Sequence, residues 1–109
     1  MKMKYCLIFC TFPTKEKAVE ISKILLNKKL IACSTIIPSF LSIYKWEGKI
    51  EEAEEYLCIF KTKEKLFDEI EKEIKERHPY EVPEILMLEI KKGTKNYLKW
   101  IDECIEDKL

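Results

Sequence analysis

The sequence has few of the residues that common enzyme sites require. Among its 109 residues there are two glycines, Gly48 and Gly93, and one histidine, His78. Neither glycine lies in a glycine-rich loop of the kind that binds phosphate groups, so an acylphosphatase site is not predicted. One histidine leaves little scope for acid–base catalysis, and no Ser-His-Asp or Cys-His series with hydrolase spacing is present. We therefore expect no catalytic residues and no enzymatic activity.

The sequence also lacks net charge and long apolar runs. Its 20 Lys and Arg residues balance 20 Asp and Glu residues, and the aromatic-glycine strand of an RRM is missing, so we predict no nucleic-acid partner. No apolar stretch approaches the 18 or so residues that span a bilayer, which predicts no membrane partner. The start, MKMKYCLIFCTFP, breaks at Pro13 and lacks a small-residue cleavage site. It predicts a first strand rather than a signal peptide.

Cysteine is present five times but never as a Cys-x-x-Cys pair. An odd count without a secretory leader favours reduced thiols and a cytoplasmic location. Cys6 and Cys10 are four positions apart on the predicted first strand, so their Cα atoms lie roughly 13 Å apart. They therefore cannot bind one ion together, and no zinc-knuckle spacing exists.

A long hairpin dominates what is present. Two strand-like runs, Ala32–Trp46 and Lys49–Lys61, flank Glu47-Gly48, and Gly48 supplies the positive φ of a tight turn. Pro38 cannot donate a ladder hydrogen bond, so we expect a bulge or an edge strand there. Strands of this length exceed the usual 5–6 residues, and their free edges favour pairing with other copies of the chain.

The remaining elements complete one domain over residues 1–109. A strand over Tyr5–Phe12 precedes a helix capped by Thr14, and a second helix is predicted over about Lys63–Arg77 with Thr62 as its cap. A last strand, Glu84–Ile90, is followed by a helix beginning at Thr94 or Asn96. The order βαββαβ plus a C-terminal helix predicts an α+β, ferredoxin-like split βαβ fold with one antiparallel sheet and helices on one face.

Four motifs follow one another along the chain: Leu30-Ile31-Ala32-Cys33, Tyr44-Lys45-Trp46-Glu47-Gly48-Lys49-Ile50, His78-Pro79-Tyr80-Glu81-Val82-Pro83-Glu84 and Asn96-Tyr97-Leu98-Lys99-Trp100. In this order and spacing they resemble the motifs of the CutA family of divalent-cation tolerance proteins. The resemblance implies a ferredoxin-like protomer, a homotrimer formed by sheet edges, a cytoplasmic setting and a response to copper or other divalent metal ions. A ring of three copies with identical contacts also closes on itself, so no free end is left to which further copies could add.

The same resemblance implies copper ligands at Cys10, Cys33 and His78. Thiolate and imidazole suit copper and zinc. Arg77 stands where some members carry a further histidine, which removes one candidate ligand. Core packing is the alternative for each cysteine, because cysteine is among the most buried residue types. A different function is a non-catalytic regulatory or scaffold trimer that binds a small ligand or a partner protein between subunits.

Two further features have alternative interpretations. The stiff loop His78–Pro83, with Trp46, predicts either packing between subunits or a ligand pocket. Four glutamates beside the hairpin tip (Glu51, Glu52, Glu54 and Glu55) predict a solvated acidic edge rather than a site for hard cations.

Overall fold

The computed structural model describes residues 4–105 of the chain. The described part contains four strands and three α-helices: β1 (Tyr5–Phe12), α1 (Lys15–Asn27), β2 (Cys33–Trp46), β3 (Lys49–Lys63), α2 (Phe67–Lys75), β4 (Ile85–Glu89) and α3 (Lys95–Ile105), with a 3-10 turn, Glu64–Leu66, before α2. This order confirms the predicted βαββαβ arrangement with a C-terminal helix. No helix within residues 4–105 is long and apolar enough to cross a membrane.

The four strands form one antiparallel sheet in the order β2-β3-β1-β4, which is the ferredoxin-like order. Alternate residues of β1 and β3, such as Ile8 and Phe60, are fully buried with α1 and α2, and this side is the helix face. Residues of the other parity define the open face of the sheet: Leu7, Phe9, Ile37, Leu57, Ile59, Leu86 and Leu88. These seven side chains are half-buried or exposed. Both faces of the sheet are therefore apolar, but α1 and α2 cover only the helix face.

Helix α3 contacts one end of the open face. Asp102 accepts a hydrogen bond from the Tyr5 hydroxyl (2.8 Å) and forms an ion pair with Lys63, and both partners have open-face parity. Ile101 and Ile105, which belong to α3, are fully buried. α3 therefore covers this end and leaves Leu86 and Leu88 at 54% and 43% exposure.

Strands β2 and β3 form the predicted long hairpin, paired from Cys33 with Lys61 to Trp46 with Lys49. The register shifts between Ile37 and Phe40, so Pro38 lies in a bulge of an edge strand. Both expectations for Pro38 are confirmed, because an edge strand with a bulge leaves its missing N–H without consequence. We call the half of the hairpin beyond the bulge, residues 40–55, the arm.

The predicted cap of the second helix is wrong. Thr62 is fully buried within β3, and its hydroxyl donates to the Leu30 carbonyl oxygen (2.6 Å). The helix begins later, at Phe67, and no side chain caps it. A threonine before a helical pattern predicts a helix cap. Here the strand continues past Thr62, and the Thr62 hydroxyl is already hydrogen-bonded to the Leu30 carbonyl oxygen.

Candidate functional site

Cys10 and Cys33, two of the predicted metal ligands, lie on opposite faces of the sheet. Cys10 is fully buried on the helix face opposite Cys58, and burial raises the pKa of its thiol strongly. Cys33 is half-buried on the open face, where its Sγ lies 3.7 Å from the Lys61 Nζ. The two cysteines also lie at different positions along the strands of the sheet, because Cys10 pairs with Cys58 and Cys33 pairs with Lys61. One protomer therefore does not bring these two thiols together.

His78, the third predicted ligand, lies after α2 at the end of β1. Its ring stacks on Phe12 with centroids 4.7 Å apart, and its Nε2 lies 2.7 Å from the Thr11 carbonyl oxygen. Since a carbonyl only accepts, Nε2 carries the proton and donates, while Nδ1 accepts from the Tyr80 backbone N–H (3.1 Å). Burial lowers the pKa of His78, against an opposite effect of the Thr11 hydrogen bond. Both ring nitrogens are thus occupied by structural hydrogen bonds.

The three predicted ligands therefore do not converge within one protomer. Across residues 4–105, no group of three or more His, Cys, Asp or Glu side chains is arranged to hold one metal ion. Cys10 is inaccessible, and His78 must give up a hydrogen bond before a ring nitrogen can bind a metal. Of the two thiols, Cys33 is the accessible one. Their assignment as metal ligands stays a prediction.

The residue that sequence reasoning missed near Cys33 is Cys104. It is half-buried on α3, and its pKa is raised by burial and by the charges of Glu103 and Cys33. Tyr97 of the same helix interacts with Cys33 as well, and its pKa is raised by burial and by the Cys33 thiol. The sequence carries no signal for this proximity, because the two cysteines are far apart along the chain and only α3 docking brings them close.

A cleft of about 770 Å³ lies between the arm and the loop that precedes β4. The lining residues come from β1, both strands of the arm and the loop: Thr11, Ser42, Ile43, Tyr44, Trp46, Glu51, Glu55, Pro79, Tyr80, Glu81, Val82 and Glu84. Four of these residues are glutamates and none is basic. We call this region the acidic cleft.

Glu55 is the most deeply placed carboxylate of the acidic cleft, with 6% of its surface exposed. Its Oε2 accepts a hydrogen bond from the Tyr80 hydroxyl (2.8 Å). Burial, followed by this hydrogen bond and the charge of Glu55, raises the pKa of Tyr80 strongly. The pKa of Glu84 is also raised, first by burial and then by Glu55. A negative field thus acts on several groups that line the cleft.

The prediction of a solvated acidic edge is wrong for Glu55, which is buried. It agrees with the exposed positions of Glu51, Glu52 and Glu54. The reason is the loop at residues 78–84, whose Tyr80 covers Glu55. Period-two alternation places Glu51 and Glu55 on one side of β3 and is the signal that distinguishes them from Glu52 and Glu54. The covering loop, however, is not visible in that pattern.

Comparison with known proteins identifies one family over nearly the whole chain. The profile of the CutA1 divalent ion tolerance protein family matches residues 6–104. The chain is 46% identical over 99 residues to the divalent-cation tolerance protein CutA of Archaeoglobus fulgidus, covering 91% of this chain and 96% of that one. It is 42% identical over 97 residues to the protein of the same name from Pyrococcus horikoshii, covering 89% and 94%.

Solved structures agree with the sequence comparisons. A structure described as the periplasmic divalent cation tolerance protein CutA from Archaeoglobus fulgidus superposes with a TM-score of 0.90 at 42% identity, covering 93% of this chain and 98% of that one. The crystal structure of CutA1 from Oryza sativa also gives a TM-score of 0.90, at 37% identity and 93% coverage of both chains.

Proposed function

The chain belongs to the CutA1 divalent ion tolerance protein family, and from that premise we propose that it binds copper or a similar divalent ion as a cytoplasmic homotrimer without catalysing a reaction. A role in divalent-cation tolerance follows from the family and from the names of its relatives. The metal, the oligomeric state, the location and the absence of catalysis are the proposal.

The apolar open face is the main observation that supports the proposed trimer. Leu86, Leu88 and Ile37 are 40–54% exposed there, and the arm exposes Ile43, Tyr44 and Trp46 to a similar extent. Contiguous exposed apolar surface of this kind is typical of a face that packs against protein. Both edge strands of the sheet also have free backbone groups, which favours pairing with further copies of the chain.

The proposed metal contacts are Cys10, Cys33 and His78, and the structure favours Cys33 as the first to bind. Its thiol is half-buried and not enclosed in the core, and its Sγ lies 3.7 Å from the Lys61 Nζ. A thiolate is a preferred ligand of copper and zinc. Because the three residues are separated within a protomer, we expect them to bind as independent contacts and not as one three-ligand site.

Copper titration of single variants tests this arrangement. Cys33→Ser is expected to remove most of the bound copper per chain, whereas Cys10→Ser is expected to have a smaller effect because Cys10 is fully buried. Cys58→Ser, which alters the equally buried thiol opposite Cys10, is the matched control for folding. Elemental analysis of protein purified without added metal identifies the ion. Unchanged copper binding by a triple Cys10→Ser, Cys33→Ser, His78→Ala variant would remove these ligands from the proposal.

The cytoplasmic location is supported by the thiols. All five cysteines lie within residues 4–105 and none is in a disulfide. Free thiols persist in reducing compartments and become oxidised elsewhere. Fractionation of cells that express the protein tests the location, and recovery outside the cytoplasm would contradict it.

The acidic cleft favours a second candidate function. A cleft of about 770 Å³ has the size of small-molecule sites. None of Cys10, Cys33 and His78 lines it, and its walls include the arm residues Ile43, Tyr44 and Trp46, which the proposed trimer also uses. The second candidate is therefore a non-catalytic regulatory trimer whose acidic cleft binds a small ligand. Retained copper affinity in a variant that has lost ligand binding at the cleft would separate the two functions.

A further inference from the structure

The cysteines of the chain lie in two different environments. Cys6, Cys10 and Cys58 are 1% exposed or less on the helix face of the sheet. Cys33 and Cys104 are half-buried and lie outside this buried group. Since a thiol reacts with a dissolved reagent only where that reagent can reach it, Cys33 and Cys104 are the two reactive candidates.

Helix α3 lies across one end of the open face. Asp102, on one side of the helix, contacts Tyr5 of β1 and Lys63 of β3. Ile101 and Ile105 are fully buried on the side that faces the sheet. These contacts place the Asp102 side of α3 over β1 and β3.

The other side of α3 faces β2. Tyr97 and Cys104 are seven residues apart, which is about two helical turns, so they share one side of the helix, about 140–160° round its axis from Asp102. β2 lies beyond β3 on the side away from β1, and it begins at Cys33 with open-face parity. Burial is the main cause that raises the pKa values of Tyr97 and Cys104, and the Cys33 thiol adds to both. α3 therefore places Cys104 beside Cys33.

Both of these thiols lie where the main chain can adjust. Cys33 is the first residue of β2, and Cys104 is in the last turn of α3. The ends of strands and helices open at a low cost in free energy, which helps two neighbouring cysteines to bring their Cα atoms within the 7 Å or so that a disulfide requires. Cys10 and Cys58 are also neighbours, paired across β1 and β3, but they lie within the strands and α1 packs on Cys58.

We propose that Cys33 and Cys104 form a redox-sensitive thiol pair, which a low-molecular-weight disulfide converts into an intramolecular disulfide bond. One protein thiolate attacks the small disulfide and releases half of it as a thiolate. The second protein thiolate then attacks the mixed disulfide at the protein sulfur and releases the other half. The two protons of the protein thiols pass to the released thiolates, so the small disulfide is reduced to two thiols while the protein loses two electrons.

The disulfide has two consequences for the protein. It ties the last helix to the start of β2 and constrains the unfolded chain over the long segment between them, which stabilises the folded state. It also consumes the Cys33 thiolate, which is one of the proposed copper contacts. Neither copper nor the acidic cleft takes part in the reaction, so the thiol pair is a property beyond the proposed function.

Equilibration of the full-length, folded protein with oxidised and reduced glutathione tests the proposal, in the absence of oxygen and with a chelator present. Free thiols are then alkylated after unfolding and counted by the mass of the intact chain. The reduced protein has five thiols, and oxidation is expected to remove two of them without adding glutathione. Peptide mapping is expected to join the peptides that contain Cys33 and Cys104.

Single variants separate the thiol pair from other reactions. Cys104→Ser or Cys33→Ser is expected to abolish the crosslink and to leave a mixed disulfide with glutathione on the remaining thiol. Cys58→Ser is the matched control, because it alters the buried pair and is expected to retain the crosslink. If a serine variant does not fold, as judged by thermal melting, the corresponding alanine variant replaces it.

Thermal melting gives a second measurement. The oxidised protein is expected to melt several degrees above the reduced protein, whereas the same oxidising buffer should not raise the melting temperature of Cys104→Ser. An equal rise in that variant would show that the buffer, not the crosslink, is responsible.

Three results would overturn the proposal. They are the retention of all five thiols under oxidising conditions, a crosslink that joins two copies of the chain on a non-reducing gel, and a crosslink between Cys10 and Cys58 in place of the expected one. Because the protein is oxidised without metal, a failure of copper binding leaves each of these outcomes unchanged.

Discussion

At the scale of single residues, Glu73 connects two helices through its charge. It lies on α2 with its side chain 11% exposed, and its carboxylate contacts Lys28 after α1 (2.8 Å) and Arg77 (2.6 Å). The hydrogen bond from Lys28 lowers the pKa of Glu73, burial opposes that effect, and Arg77 adds to the lowering. The ion pair therefore holds α2 against the end of α1.

Replacing Glu73 by glutamine tests this linkage. The folded pKa lies below the ordinary value of 4.5, so the stabilisation is present above that pH and is lost as the pH falls through the folded pKa. We expect Glu73→Gln to lower the free energy of unfolding by about 1 kcal/mol at pH 7 and to flatten its decline in acid. Guanidinium unfolding at several pH values measures both effects.

The exposed Glu76 is the control for Glu73. Glu76→Gln alters a carboxylate 3.7 Å from the same Arg77 with 52% side-chain exposure, and it is expected to change the free energy of unfolding by less than about 0.5 kcal/mol. Equal effects of the two variants would show that the net charge of the helix, not the Glu73 ion pair, is responsible.

Residue roles were predictable from the sequence where they depend on neighbours along the chain. The Thr14 cap is confirmed, because its hydroxyl accepts from the Lys17 backbone N–H (3.1 Å). The cap assigned to Thr62 and the solvation of Glu55 were wrong, because a distant carbonyl in one case and Tyr80 in the other decide the outcome. Tertiary contacts of this kind leave no local pattern.

At the scale of elements, the turn of the hairpin is formed by two residues with positive φ. Glu47 and Gly48 have φ values of 51° and 80°, and Trp46 pairs directly with Lys49. This is the two-residue turn that asparagine followed by glycine favours most strongly. Glu47 is therefore a locally unfavourable choice, whereas Gly48 suits its position.

Substitutions at the turn are expected to have opposite signs. Glu47→Asn should raise the free energy of unfolding by about 0.5 kcal/mol, because asparagine adopts positive φ more readily. Gly48→Ala should lower it by about 1 kcal/mol, because a Cβ is strained at this φ although no atom lies within 4 Å of it. Guanidinium unfolding measures both, and two changes of the same sign would contradict the backbone explanation.

The order of the elements was predictable because hydrophobic periodicity and turn residues are local. The bounds of β1 match the prediction, and the bounds that differ do so by one to four residues: β2 begins at Cys33 and α2 at Phe67. The candidate metal residues were predicted as a set, but the face on which each lies requires the strand register. That register places Cys10 and Cys33 on opposite faces, and the acidic cleft depends on a loop whose position no periodicity specifies.

At the scale of the whole molecule, the open face and the arm both expose apolar side chains. Leu86 and Leu88 lie on an edge strand of five residues, and the long arm extends a molecule that measures 45 × 26 × 23 Å. A monomer would keep these apolar groups in water. In the proposed trimer, association of three copies would remove these groups from water and close the ring.

A charge on the open face is expected to separate the copies. Leu88→Glu changes a side chain that is 43% exposed, so the protomer should still fold, while the proposed contact between copies should be lost. Leu26→Glu, on α1 and 41% exposed, is the matched control and should remain assembled. Light scattering after gel filtration measures the mass of each, and an assembled Leu88→Glu would place the contact elsewhere.

Sedimentation equilibrium of the unmodified protein at micromolar concentration tests the central claim most directly. The proposal that the open face and the arm pack against other copies predicts one species with the mass of three 13.1 kDa chains. A single species of 13.1 kDa would contradict it.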